Sequence, residues 1–152
     1  MNQRIKSTFN YLPKIIILGL ALFNFLYFWI ETTGTGDKIS FCYICPWYKT
    51  SAFIHVPILL VAASLLLISK RWSYITAIAL SGYVFAYDLF FLIRGIAYFG
   101  LSEMWKWILR SEANILLVQE VQLILAGVIF SSSIIYLVRD ALHKKASQSR
   151  FM

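Results

Sequence analysis

The sequence predicts an all-α fold, an integral membrane four-helix bundle with a short interfacial amphipathic helix in its second outer loop. Three observations predict it. The chain is 60% hydrophobic and only 14% charged, against about 25% charged residues in a soluble domain, and its mean hydropathy is +0.72. Four apolar runs are each close to or beyond the roughly 20 residues that cross a bilayer. The cations gather at alternate links between those runs, as they do in multi-pass membrane proteins.

The expected spans are residues 12–30, 46–68, 72–99 and 114–138 of a single domain covering residues 1–152. The first is longer than the roughly 7–15 apolar residues of a signal peptide, and no Ala-x-Ala site follows it, so an uncleaved helix is expected. Only Ser69, Lys70 and Arg71 separate the second and third runs, which are therefore expected to form a tight antiparallel pair. In the second outer loop, Leu101, Met104, Trp105 and Ile108 follow the i, i+3, i+4, i+7 pattern, with Glu103, Lys106 and Arg110 between them. That pattern predicts the surface helix, with Trp105 and Trp107 at headgroup depth.

Orientation follows from charge. Arg4, Lys6, Lys14, Lys70, Arg71, Arg139, Lys144, Lys145 and Arg150 fall on one side; Lys38, Lys49, Lys106 and Arg110 on the other are offset by Glu31, Asp37, Glu103 and Glu112. The positive-inside rule puts both termini in the cytoplasm. The net charge of +7 is thereby explained without nucleic acid. No Gly-rich phosphate loop is present, and the two cysteines cannot complete a tetrahedral zinc site. Haem held by His55 and His143 is not expected, because the two fall on opposite sides.

Cys42 and Cys45 are the only cysteines and form one Cys-x-x-Cys pair directly before the second span. On the expected outward side they meet an oxidising compartment. Pro46 suits the first helical position, which leaves Cys45 at the N-cap. The helix dipole and Lys49, one turn on, both favour a thiolate there and lower the Cys45 pKa. These residues fit a redox dithiol at the lip of a bilayer. A static disulfide that pins a loop remains the other reading.

Charged groups inside a bilayer are expensive and usually functional. At 1.5 Å per residue, His55 and Glu120 are expected roughly 8–9 Å below the outer boundary, and Asp88 roughly 9 Å deeper than Arg94. Gln119 and Gln122 share a face of the fourth helix. All these side chains occupy the half nearer the cysteines, where they could line a pocket for the headgroup of a lipid-soluble molecule such as a quinone. Two structural readings stand beside this: Asp88, Arg94 and Glu120 pair to hold helices together, and His55 is a hydrogen-bonded packing residue. Pro57 frees the carbonyl of Phe53 and can bend the second helix. A proton or ion pathway through Asp88, Glu120 and His55 is disfavoured, because in the inner half of the fourth helix only Ser131, Ser132 and Ser133 could continue it.

At Cys42-Tyr43-Ile44-Cys45-Pro46-Trp47-Tyr48-Lys49 the chain resembles the bacterial disulfide bond formation protein B (DsbB-like) family of quinone-dependent membrane thiol oxidases. The resemblance implies four helices with cytoplasmic termini in the bacterial inner membrane and a Cys pair facing the periplasm. Cys42 and Cys45 take the two cysteine positions, Ile44 replaces a leucine, and Lys49 takes the position of an arginine. It implies a cycle in which a soluble extracytoplasmic thiol–disulfide protein reduces the Cys42–Cys45 disulfide. Cys45 then passes the electrons to ubiquinone or menaquinone near Lys49. The surface helix near Trp105 also matches the family. The vitamin K epoxide reductase family fits less well, because its quinone-proximal Cys pair lies late in the bundle. Two departures stand out. Residues 100–113 lack the family's second Cys pair, and a lysine for the arginine loses bidentate donation. The competing reading is a non-catalytic small membrane subunit with Cys42–Cys45 as a structural disulfide.

Overall fold

The computed structural model describes residues 3–33, 46–103 and 114–148. They form four long helices: α1 (Gln3–Thr33), α2 (Pro46–Ile68), α3 (Arg71–Phe99) and α4 (Asn114–Gln148). Among the described residues there is no strand. Each helix contains a run long and apolar enough to cross a membrane: Tyr11–Ile30, Ser51–Ile68, Arg71–Phe99 and Val121–Leu142. The chain is a multi-pass membrane protein. In hydrocarbon every backbone N–H and C=O has to be bonded internally, and a helix does this within one segment.

The helices outrun the apolar stretches at polar ends. α1 begins at Gln3 and continues through Pro13, and α4 runs on to Gln148. Helix formation beyond the apolar span leaves no hydropathy signal. α2 starts at Pro46 and carries Pro57 inside it. The surface helix expected around Trp105 is described only for Leu101, Ser102 and Glu103, which are helical; Met104, Trp105, Trp107 and Ile108 lie outside the described residues.

The α2–α3 link is as tight as its sequence suggests. Ser69 adopts a left-handed conformation with φ 56°, and Lys70 is extended. The Ser73 hydroxyl donates to the Lys70 carbonyl (2.7 Å) and accepts from the Lys70 N–H (3.2 Å), closing the first turn of α3. At the other end of α3, Gly100 has φ 78° and its N–H bonds the Ile96 carbonyl at 2.8 Å. Glycine enters that region without the Cβ penalty other residues meet.

Consecutive helices run antiparallel, and α1 closes the ring against α4. α2 also packs across the bundle on α4. It is the most enclosed helix, with 44% of its span buried against 22–28% in the others. Small residues line the interior: Ala21, Ala62, Ala63, Ala77, Ser81 and Ala126. They let backbones approach, which is how helices associate where lipid is as apolar as the core. Leu59, Leu66, Val84 and Ile129 fill the space between them. Between α3 and α4 the fit is reciprocal. A Cβ on Gly82 would meet Phe130 at 3.1 Å, and one on Gly127 would meet Phe85 at 3.2 Å. The two phenyl rings stack with planes 5° apart. The outer surface is apolar: Phe23, Ile124 and Ile135 are each more than 60% exposed, as lipid-facing side chains are.

Lys14 sits inside α1 and is only 4% exposed. The charge count above treats it as one more cation on the cytoplasmic side. Its Nζ instead donates to Ser69 Oγ (2.6 Å) and Tyr74 Oη (2.9 Å). It also lies over the rings of Tyr136 (4.6 Å), Tyr74 (5.2 Å) and Tyr11 (5.5 Å). This cage ties α1 to the α2–α3 link, to α3 and to α4. The end of the bundle that holds it is called the turn end below, and the opposite end the far end.

Candidate functional site

The polar residues of the far half are set by helical spacing. On α2, Ala52, His55, Val56 and Leu59 are buried at three- and four-residue intervals; on α3 the series is Ala77, Ser81, Val84 and Asp88. The two series face each other, and His55 Nδ1 meets Asp88 Oδ1 at 3.1 Å. Both residues are 1% exposed. One proton lies between these atoms, whichever of the two carries it. The imidazole stands edge-on to Tyr87 (centroids 4.8 Å, 84°) and Tyr83 (5.6 Å, 89°). Tyr87 is half-buried and Tyr83 is 52% exposed, so the two rings lead from His55 to the bundle's outer surface. Tyr87 in turn contacts Phe91 at 4.7 Å.

Gln122 is on α4 and is also 1% exposed. Its level is fixed by the α3–α4 register. Tyr74 stacks on Tyr136. Fourteen residues along α3 from Tyr74 is Asp88, and fourteen back along α4 from Tyr136 is Gln122. Asp88 and Gln122 therefore share a level, roughly 21 Å from the tyrosine pair. Asn24 on α1 is 3% exposed. The contacts Phe28–Phe53 and Lys14–Ser69 put it within about one turn of that level, towards the turn end. Each helix thus contributes at least one buried polar side chain to the same zone.

That zone is not fully bonded. Among the described residues, three buried side-chain atoms have no hydrogen-bond partner: Asp88 Oδ2, Gln122 Nε2 and Asn24 Nδ2. Leaving such an atom bare costs about 1–3 kcal/mol. All three belong to this one zone, and they comprise an acceptor and two donors. By contrast, the buried hydroxyls of Ser81 and Ser133 bond carbonyls of their own helices at 2.6 and 2.7 Å.

The other sequence-derived candidates are distributed as follows. Arg94 is exposed and lies 5.6 Å from the Tyr98 ring. It is six residues beyond Asp88, which turns it about 120° away round α3, so the structure does not bring the two together. Asp88 pairs with His55 instead, at 3.1 Å. Lys49 falls in the first turn of α2, and Gln119 and Glu120 in the first two turns of α4; their side chains lie outside the described residues, as do Cys42 and Cys45 entirely. No group of three metal-ligating side chains occurs among the described residues. Sequence reasoning did not single out Asn24, Tyr83 or Tyr87. A lone amide in an apolar run is a usable signal for Asn24, whereas tyrosines in a chain this aromatic give none.

No family model, curated protein or solved structure matches the chain.

Proposed function

We propose that the chain is a membrane thiol–disulfide oxidoreductase of the disulfide bond formation protein B type. In this reading, Cys42 and Cys45 take electrons from a soluble dithiol protein outside the cytoplasm of a bacterium and pass them to a quinone in the inner membrane. Both termini are cytoplasmic. A quinone takes up two electrons and two protons, and a dithiol loses the same on forming a disulfide, so the exchange balances with no further co-reactant.

The observation that carries the reading is the buried His55–Asp88 pair, with Asp88 Oδ2 and Gln122 Nε2 left without partners. A ring oxygen is an acceptor as a carbonyl and a donor as a hydroxyl, so it suits an amide donor and a carboxyl acceptor in turn. Tyr83 and Tyr87 offer aromatic surface leading in from the lipid side. His55 and Asp88 hold a proton at the site, Gln122 orients an oxygen, and the apolar core around them excludes water. Lys49 supplies positive charge near the start of α2.

The absence of a second Cys pair from residues 100–113 favours a second reading, a non-catalytic subunit in which Cys42–Cys45 is a staple. One experiment separates them. The thiols are trapped with an alkylating reagent in membranes whose quinone pool is oxidised, and again in membranes depleted of quinone. The oxidoreductase reading expects Cys42 and Cys45 to accumulate as thiols on depletion. A disulfide indifferent to the pool leaves the staple.

A further inference from the structure

We infer that Asp88, His55 and Gln122 form the deep end of the quinone site, holding one ring oxygen in the bundle interior and supplying its proton. This rests on the reading above and adds to it a seat remote from the cysteines. The seat is defined by two complementary atoms on adjacent helices. Gln122 Nε2 is a donor without an acceptor, and Asp88 Oδ2 is an acceptor without a donor. They occupy one level of the α3–α4 pair, and they do not bond each other. The carbonyl oxygen of a quinone would accept from Gln122 Nε2, and the hydroxyl it becomes on reduction would donate to Asp88 Oδ2. His55, on the remaining oxygen of Asp88, completes a chain of groups able to hold and release a proton.

The level matters. Lys49 is six residues nearer the far end than His55 on the same helix, a rise of about 9 Å. A para-quinone carries its oxygens on opposite edges of one ring. Bound through Gln122 and Asp88, it would leave its second oxygen free for the end of α2 that carries Lys49, which Cys42 and Cys45 precede in the sequence.

The test uses full-length protein in lipid nanodiscs with Cys42→Ser and Cys45→Ser, so that binding is read without turnover. Short-chain ubiquinone-1 is titrated, and binding is followed by quenching of tryptophan fluorescence. The infrared stretch of the quinone carbonyls reports their hydrogen bonds. Gln122→Leu is expected to weaken binding about tenfold, the effect of one lost hydrogen bond, and to remove the shifted carbonyl band. Gln122→Met, close in volume, is the companion should the leucine variant not assemble. In protein with both cysteines, Asp88→Asn is expected to slow quinone reduction about 100-fold and to change its pH profile. Binding and carbonyl bands that ignore Gln122, in protein whose thiols still follow the quinone pool, overturn this inference alone. Thiols that ignore the pool, in protein that binds quinone through Gln122, overturn the oxidoreductase reading instead.

Discussion

The two ends of this bundle bury polar groups in opposite ways. At the turn end, Lys14 has hydroxyl acceptors in Ser69 and Tyr74 and three tyrosine rings around its ammonium group. In the far half, His55 and Asp88 share one hydrogen bond while Asp88 Oδ2, Gln122 Nε2 and Asn24 Nδ2 remain bare. Both clusters draw on several helices and are almost sealed from solvent. A saturated cluster has nothing left to offer a ligand, so its contribution is to stability. An unsaturated one forgoes stability and keeps valences for a guest. Position in the membrane does not separate the two roles; the count of satisfied atoms does.

Substitutions at the two ends should therefore differ in sign. The largest effect is expected for Lys14→Ala, which empties the cage and strips Ser69 and Tyr74 of their donor. The loss should be about 2–4 kcal/mol, from hydrogen bonds to a charged group and desolvated cation–π contacts, read from unfolding in mixed detergent micelles. A change below about 1 kcal/mol would remove the distinction between the ends. Next comes Gln122→Leu, which exchanges a bare buried amide for a hydrocarbon of similar size. It should leave the protein unchanged or more stable by about 1 kcal/mol, in the same assay, while weakening quinone binding. Gain in one property with loss in the other is the pattern of a site held at the expense of stability. A clear destabilisation would mean that Gln122 has a structural task. The smallest effect is expected for Tyr136→Phe, which keeps the ring nearest Lys14 Nζ and removes only a hydroxyl. The shift should stay within about 0.5 kcal/mol. A larger one would show that the hydroxyl, and not the π face, holds the ammonium group.

Much of this architecture could be read from the sequence because hydropathy is a local property. Four apolar runs and the three-residue link Ser69-Lys70-Arg71 are enough to specify four helices with α2 and α3 as an antiparallel pair. The polar extensions of α1 to Gln3 and α4 to Gln148 carry no such mark. The buried polar zone was legible in part of its ingredients, since His55 and Asp88 each stand alone among apolar neighbours and Gln122 shares a helix face with Gln119. Its pairing was not. Whether Asp88 meets His55 or Arg94 depends on rotation about α3 and on its register with α2, and neither is written in composition. Lys14 shows the same limit. Charge counting sums cations on one side of a membrane, and it cannot tell a lysine in solvent from one inside a cage of tyrosines.

That cage also fixes one end of a long rod. Lys14 holds α1 at the turn end, and nineteen residues of the same helix run on from there to Thr33, a length of about 28 Å. Near its other end the same rod is held again by Phe28, edge-on to Phe53 and buried with Ala52 and Val56. The two anchors stand near opposite ends of the apolar span of α1, a polar cage at one and an aromatic contact at the other, and in the sequence the second is the one nearer the cysteines.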